Sequence, residues 1–352
     1  MEVSKQFEFT RFVLEEAVQN NDYANIEESL NKLRELAIYD SNAQFLMAEF
    51  HEKGLLERDV KKALKYYTLS AKNGHTEGAY RSGLLFEHAK TVKSPKEAYV
   101  FYKMAASHGH PGGCWKVGNA EMRGELGCSV NLRSACKWMH LSSNCATIEH
   151  PEGAYEYANM LEAGVENILY PDLEESLLMY EKAAELEHPK ALMYLAQLYE
   201  TGDPIKKIDQ NMKLSISFYK KAAENGNTLA CFSLSNFYLT GVEKALSADE
   251  QLAFTWMHKA ARPFIMTEKH LESVEVDPTP RLKFLHSNNK KIPMAAYAIG
   301  YFYEMGVGCQ KDKSKFIAWY KVAYQYGDMR GASKLLEYKV PLPKKKEKCK
   351  VM

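Results

Sequence analysis

The residues best suited to covalent chemistry are the last four of the chain, Cys349-Lys350-Val351-Met352. A cysteine four residues from the carboxyl end, an aliphatic residue at the second intermediate position and a terminal methionine form a prenylation motif, in which methionine favours farnesyl. Lys350 departs from the aliphatic residue that is usual at the first intermediate position. We therefore expect a protein prenyltransferase to farnesylate Cys349.

The residues just before this cysteine are basic. Residues 339–352 contain six lysines and one glutamate, a net charge of +5. One lipid chain gives only marginal membrane binding, and each lysine near an anionic leaflet adds about 1 kcal/mol. We therefore expect an anionic membrane surface as a partner and a peripheral location on the cytosolic face of the plasma membrane. The lysines predicted to contact it are Lys344, Lys345, Lys346 and Lys348.

Other groups of reactive residues do not match known sites. Cys128, Cys136 and Cys145 lie near His140 and His150 in the sequence, but their gaps match none of the usual zinc spacings. Small apolar packing is the expected role of such thiols. We predict no metal site.

A pair of glycines in the last third of the chain resembles part of a known binding motif. Gly306-Val307-Gly308 could be half of a dinucleotide fingerprint, but it follows a helical pattern and has no third glycine at the required offset. The chain also lacks the phosphate-binding loop with its Gly-Lys-Ser/Thr ending. We predict no cofactor and no catalytic residues, so the chain is not expected to be an enzyme.

The composition is that of a folded, globular protein. Of the 352 residues, 46% are hydrophobic and 26% are charged, which argues against a disordered chain. The net charge of +1 lacks the basic bias of nucleic-acid binders, so no nucleic acid is expected as a partner. Seven cysteines without a Cys-x-x-Cys pair indicate a reducing compartment. The amino-terminal sequence does not resemble a secretory signal, and we expect no membrane-spanning helix.

An internal repeat, which occurs seven times in the sequence, predicts the secondary structure of most of the chain. Within each copy the first and sixth positions hold a small residue, and the eighth is apolar. The twelfth position is glycine in six copies and Ala89 in the other. The copies begin at Ala43, Gly78, Gly113, Gly153, Ala191, Ala230 and Ala295.

A second block in each copy contains two successive large residues followed by small ones, as in Phe101-Tyr102-Lys103-Met104-Ala105-Ala106. Small residues let two helices approach closely and aromatic residues fill the space between pairs. Glycine after a helix provides a left-handed residue that ends it. The pattern therefore predicts an all-α fold, an α-solenoid of about seven antiparallel helix pairs stacked in a right-handed superhelix.

The pattern also predicts the domain organisation. Residues 1–40 are expected to form an amino-terminal helical cap with helices at Phe7–Asn20 and Asn25–Ala37. The repeats occupy residues 41–335, with an irregular insertion near residues 262–291 that includes a short helix at Glu268–Val274. Residues 336–352 form the basic tail with the prenylation motif.

The spacing between copies is 35, 35, 40, 38, 39 and 65 residues, whereas tetratricopeptide repeats hold 34 rather strictly. With its variable loop between paired helices, the repeat instead resembles the Sel-1-like repeat. Together with the tail, several segments resemble the fungal chitin synthase III activators, the regulatory factors of chitin synthase. The segments that carry this resemblance are Arg123–Gly127, Asn144–Pro151, Tyr170–Asp172 and Tyr301–Cys309.

This resemblance implies a non-catalytic, membrane-anchored adaptor that activates or localises a membrane-embedded chitin synthase catalytic subunit at the septum or at sites of cell-wall growth. One alternative is a general prenylated scaffold for polarity or division proteins that has no effect on a synthase. Another is a repeat-fold hydrolase of the secreted bacterial kind, against which the missing signal peptide and the cysteine spacing argue. The residues proposed to face a partner, because they lie near the ends of first helices, are Glu304, Glu121 and Arg123.

Overall fold

The computed structural model describes residues 2–20, 22–54, 56–264 and 292–344. These residues form seventeen α-helices and a 3-10 turn at Arg262–Phe264, and three isolated bridges in loops are their only β pairing. The helices are α1 Glu2–Asn20, α2 Tyr23–Leu36, α3 Ser41–Lys53, α4 Val60–Lys72, α5 Thr76–His88, α6 Pro95–Ser107, α7 Pro111–Arg123, α8 Leu132–Asn144, α9 Glu152–Ala163, α10 Leu173–Glu185, α11 Pro189–Thr201, α12 Met212–Glu224, α13 Thr228–Thr240, α14 Glu250–Ala261, α15 Pro293–Met305, α16 Lys313–Gln325 and α17 Met329–Glu337.

The helices pair as the repeat predicts, so the all-α repeat fold is confirmed. Within each repeat the first helix (α3, α5, α7, α9, α11, α13 or α15) is followed by its partner. In the first repeat the chain returns antiparallel, because Ser70 Oγ near the end of α4 donates to the carbonyl of Ser41 at the start of α3 (2.7 Å). The two predicted amino-terminal helices correspond to α1 and α2. The predicted helix at Glu268–Val274 lies outside the described residues.

Close contact between paired helices depends on the small residue at the sixth repeat position. A Cβ atom added to Gly83 would lie 2.6 Å from the Tyr102 ring, and one added to Gly300 would lie 2.9 Å from the Tyr320 ring. The second of the two successive large residues, which lies on the second helix, therefore packs directly against the first helix. In all seven copies this residue is at most 2% exposed: Tyr67, Tyr102, Met139, Tyr180, Tyr219, Met257 and Tyr320.

The glycine at the twelfth position ends the first helix with a backbone that only glycine adopts easily. Gly54, Gly124 and Gly306 are left-handed, with φ between 69° and 79°. In the copy that lacks this glycine, Ala89 leaves the helix with φ −79° and ψ 112° instead. Gly164, Gly202 and Gly241 also have a positive φ, but their ψ of 166–168° lies outside the left-handed helical region. The prediction that glycine supplies a left-handed helix end is therefore confirmed in three of the six copies.

The chain forms two compact units, residues 1–179 and 180–352. In the first unit, Phe7 and Leu14 of α1 and Leu33 and Leu36 of α2 pack with Met47 of the first repeat. In the second, Phe316, Tyr320 and Leu335 form a core with the partly buried Tyr297, Tyr303, Ile317, Tyr338 and Val340. No helix among the described residues is both long enough and apolar enough to cross a bilayer.

Candidate functional site

The residues predicted to carry the membrane anchor fall mostly beyond the described part of the chain. Lys344 is described and is exposed at the end of an extended segment that follows α17. Cys349, Lys345, Lys346 and Lys348 lie outside the described residues. Farnesylation and membrane contact therefore stay predictions.

Glu304, predicted to face a partner, is instead hydrogen-bonded to the two helices that follow it and to Tyr338 just after them. It accepts hydrogen bonds from Tyr320, from Lys334 Nζ at 2.9 Å and from Tyr338 Oη at 2.7 Å. Burial opposes its ionisation, but these hydrogen bonds outweigh that effect and hold the pKa of Glu304 below its usual value. Its side chain is only 9% exposed, so the expectation of an exposed carboxylate here is corrected.

The other two residues expected to face a partner lie at the end of α7 and differ from each other. Glu121 is 6% exposed, and its Oε1 accepts a hydrogen bond from Tyr99 Oη at 2.7 Å. Its position is therefore also corrected, from exposed to buried, because α6 covers it. Arg123 is exposed, so it stays a candidate for contact with a partner.

Glu304 belongs to a set of tyrosine–glutamate hydrogen bonds that the sequence reasoning missed. The glutamate is the tenth residue of the repeat and the tyrosine is the second large residue of the paired helix. The tyrosine donates to the glutamate in Tyr67–Glu52 (2.6 Å), Tyr102–Glu87 (2.5 Å), Tyr219–Glu200 (2.6 Å) and Tyr320–Glu304. The sequence contains a signal for these tyrosine–glutamate hydrogen bonds, since the two copies that have methionine in place of the tyrosine have Met122 and Leu239 in place of the glutamate.

A group of buried and partly buried polar residues lies in the first unit, at the amino-terminal ends of α5, α7 and α9. We call Glu77, Arg81, His110, His150 and Glu152 the polar cluster. Glu77 and Arg81 lie on α5, His110 caps α7, and His150 and Glu152 lie at the start of α9. Both histidines and Glu152 are buried, whereas the Glu77 side chain is 32% exposed. The cluster therefore has an interior and an open side.

Glu77 holds the exposed side of the polar cluster together. Its Oε1 accepts from Arg81 Nε at 2.8 Å, and its Oε2 lies 2.7 Å from His110 Nε2. Burial alone would raise the pKa of Glu77, but the bonds from His110 and Arg81 reverse this and lower it to about 2. Glu77 is thus a carboxylate at neutral pH.

The helix cap fixes the tautomer of His110. Its Nδ1 accepts a hydrogen bond from the Gly113 backbone N–H at 3.1 Å, so the proton of the neutral ring is on Nε2 and is donated to Glu77. His75 caps α5 and His188 caps α11 in the same way, through Nδ1. A histidine three residues before the first small residue is thus a recurring capping residue of this chain.

His150 occupies the same repeat position but does not cap its helix. Pro151 is the residue that precedes α9, and it provides no side-chain cap. The Nδ1 atom of His150 is buried and has no hydrogen-bond partner among the described residues. Its ring instead packs against Tyr80 and His110, with centroids 5.0 and 4.9 Å away. Such an unsatisfied buried polar atom costs about 1–3 kcal/mol.

A glycine creates the space for this ring. A Cβ atom added to Gly112 would lie 2.9 Å from both His150 Nδ1 and Tyr80 Cζ. Burial and the neighbouring His110 lower the pKa of His150 to about 4. Burial also raises the pKa of Glu152 to about 7, and one of its carboxylate oxygens has no partner within the described residues. The interior of the cluster is therefore uncharged or weakly charged at neutral pH, and it is short of hydrogen bonds.

The polar cluster contains the donor set of a metal site. One ligand atom each from Glu77, His110 and His150 lie within 4.8 Å of one another. Ligation through His110 Nε2 would move its proton to Nδ1 and cost the Gly113 cap, about 1 kcal/mol. That is small beside the roughly 10–16 kcal/mol of structural zinc sites. The residue types fit zinc, although the capping bond must be given up.

Sequence reasoning had grouped His150 with other residues. Cys136 is buried, Cys128 Sγ donates to the carbonyl of Glu125 and Cys145 Sγ donates to that of Leu141. The structure places His150 beside His110 and Glu77 instead. These two lie 40 and 73 positions earlier in the chain, so only the stacking of repeats reveals the group.

Comparison with known proteins identifies the repeat. The family described as Sel1 repeat matches residues 41–75, 76–110, 111–146, 151–188, 189–227, 228–262 and 293–330. A crystal structure of a Sel1 repeat protein from Oxalobacter formigenes superposes with a TM-score of 0.65. It covers 96% of this chain and 87% of the other at 21% sequence identity, which speaks for the fold alone.

Two curated relatives carry names that refer to one process. Chitin synthase regulator SKT5 of Saccharomyces cerevisiae is 30% identical over 316 residues, or 88% of this chain and 41% of its own length. Chitin synthase regulatory factor 3 of Schizosaccharomyces pombe is 27% identical over 322 residues, or 88% of this chain and 31% of its own length. The chain thus spans less than half the length of these relatives.

Proposed function

We propose that this chain, which belongs to the Sel1 repeat family, is a non-catalytic regulator of chitin synthase in cell-wall or septum synthesis. The observation that carries the proposal is the similarity, over 88% of the chain, to two proteins named as regulators of chitin synthase. The partner would be the catalytic subunit of a chitin synthase. Repeat proteins of this kind work by presenting an extended surface to another protein.

The described side chains support a role in binding rather than catalysis. The carboxylates of the tyrosine–glutamate pairs are held in short hydrogen bonds within the repeats that contain them, where they order the helices. The charged and aromatic residues of the first helices remain for recognition, and Arg123 at the exposed end of α7 is one of them. Arg is enriched at protein interfaces.

We further propose that the chain acts on the cytosolic face of the plasma membrane. A farnesyl group on Cys349 and the lysine run at Lys344, Lys345, Lys346 and Lys348 would supply the two signals that stable anchoring requires. If the partner synthase is embedded in the same membrane, as the family resemblance implies, the anchor would raise the local concentration of the regulator next to it.

The function is tested by chitin synthase activity in membranes from cells with and without the chain. We expect activity to fall without it and to return when the intact chain is restored. If activity is unchanged while the protein remains on the membrane, the proposal fails and a general scaffold for polarity or division proteins replaces it.

The anchor is tested separately with Cys349→Ser, which removes the acceptor thiol. We expect this variant to move from the membrane to the soluble fraction, because the lysines alone are a single weak signal. Lys350→Ala, which leaves the cysteine in place, is the matched control and should stay on the membrane. Membrane association of Cys349→Ser equal to that of the wild type would contradict the lipid anchor.

A further inference from the structure

We propose that the polar cluster binds one divalent transition-metal ion, zinc being the best fit, through Glu77, His110 and His150. The first observation is geometric. Ligand atoms from these three side chains converge within 4.8 Å although they lie at the starts of three different helices, α5, α7 and α9. Two imidazoles and a carboxylate are a donor set that suits zinc, cobalt and nickel rather than magnesium or calcium.

The second, independent observation is that His150 lacks a partner. It is 7% exposed and its Nδ1 atom makes no hydrogen bond with any described residue. At three equivalent positions, one of them His110 itself, the histidine Nδ1 accepts the hydrogen bond that caps the helix. Here Pro151 starts α9 without a side-chain cap, so the imidazole is left available beside His110 and Glu77. A metal ion would satisfy it.

The approach of the ion is from the side of Glu77, whose side chain is 32% exposed. Zinc ligands at about 2.0–2.2 Å in a tetrahedron lie about 3.4 Å apart. Glu77 Oε2 and His110 Nε2, now 2.7 Å apart, would therefore separate slightly, and ligand atoms near the 4.8 Å limit would approach each other by about 1.4 Å. The short turn that joins α8 to α9 ends at His150 and is held by two hydrogen bonds, from Thr147 N to His150 O at 3.3 Å and from His150 N to Thr147 O at 3.0 Å, so the side chain rather than the backbone would have to move. Water would fill the fourth position.

Binding requires a rearrangement of protons that balances. The Nε2 proton of His110, now donated to Glu77, passes to Nδ1 as the metal takes the Nε2 lone pair, and the Gly113 N–H loses its acceptor. Arg81 remains on Glu77 Oε1 and orients the carboxylate. The ion would join the amino-terminal ends of α5, α7 and α9.

The experiment is zinc binding by the full-length chain, kept reduced with a phosphine, measured by competition with a chromophoric chelator. We expect one equivalent of zinc, and at least about a tenfold loss of affinity in His150→Gln and in Glu77→Gln. His188→Gln is the matched control, because His188 caps α11 and has no place in the cluster. Its affinity for zinc should equal that of the wild type.

Two further measurements protect the test from other causes. Zinc should raise the melting temperature of the wild type and of His188→Gln but not of His150→Gln, and thermal unfolding without metal shows whether each variant folds. Cobalt in place of zinc should show no thiolate charge-transfer band, since no cysteine is a proposed ligand. A strong thiolate band, no zinc binding, or binding that His150→Gln leaves unchanged would overturn the proposal.

Discussion

The two compact units use the same repeat but differ at the residue just before its first small position. In the first unit this residue is Asn42, Glu77, Gly112 or Glu152, and in the second it is Lys190, Leu229 or Met294. The first set includes two buried or half-buried carboxylates and the glycine that admits His150, whereas the second set is exposed. The same helix pair therefore builds a polar interior in one unit and an ordinary surface in the other.

The features common to both units show which repeat positions stabilise the fold. The second of the two successive large residues is fully buried in both units. The tyrosine–glutamate hydrogen bond also occurs in both units, as Tyr102–Glu87 and Tyr219–Glu200. Positions that hold the helices together are repeated, and positions that give a surface its chemistry vary. The polar cluster arises because three variable positions in successive repeats of the first unit coincide.

The largest expected effect tests the shared part of the comparison. Tyr102→Ala and Tyr219→Ala each empty a buried site and remove the donor to a glutamate. We expect each to lower the free energy of unfolding by about 3–5 kcal/mol, measured by urea denaturation. A loss in one unit but not in the other would show that the two units do not depend on the same pair.

The next effect concerns pH and belongs to the first unit alone. The pKa of Glu152 is raised to about 7, so the folded state favours its protonated form. Stability from this group is present below its unfolded pKa and is lost as the pH rises through about 7. From pH 5 to pH 8 the Glu152→Gln variant should therefore gain about 3 kcal/mol relative to the wild type.

Because the other titrating groups of the cluster are the same in both proteins, this difference isolates Glu152. The free energy of unfolding is measured at a series of pH values, with Lys190→Gln, at the same repeat position in the second unit, as the control. Parallel pH profiles for the wild type and Glu152→Gln would contradict the buried, unpaired carboxylate.

The smallest effect compares the same repeat position in the third and fifth repeats. Gly112→Ala places a methyl group against His150 and Tyr80, and we expect a net loss of about 1–2 kcal/mol after the gain in helix propensity. Lys190→Ala, at an exposed site, should change stability by less than about 0.5 kcal/mol. Equal effects in thermal unfolding would mean that Gly112 does not hold space for the cluster.

The sequence was sufficient to predict the fold because the fold depends on local, repeated features. Small residues, buried aromatic residues and glycines at helix ends recur at fixed offsets. The structure shows the close contact at Gly83 with Tyr102 and the left-handed helix end at Gly54. Even the departure at Ala89 has a local reason, since the chain leaves that helix with a negative φ.

The site was harder to predict because it depends on stacking between repeats. Glu121 and Glu304 were expected to be exposed because they lie at helix ends, but neighbouring tyrosines cover them. His150 was grouped with nearby cysteines because proximity in sequence was the available guide. Its true neighbours, His110 and Glu77, come from other repeats, and a repeat-by-repeat alignment of the capping histidines would have drawn attention to them.

The central claim is that this chain regulates a chitin synthase, and the most direct measurement adds the purified, farnesylated chain to synthase-containing membranes from cells that lack it. If the chain is such a regulator, chitin synthase activity rises with the amount of chain bound and then saturates, and heat-denatured chain has no effect. Activity that stays at its basal level while the chain is bound to the membranes would contradict it.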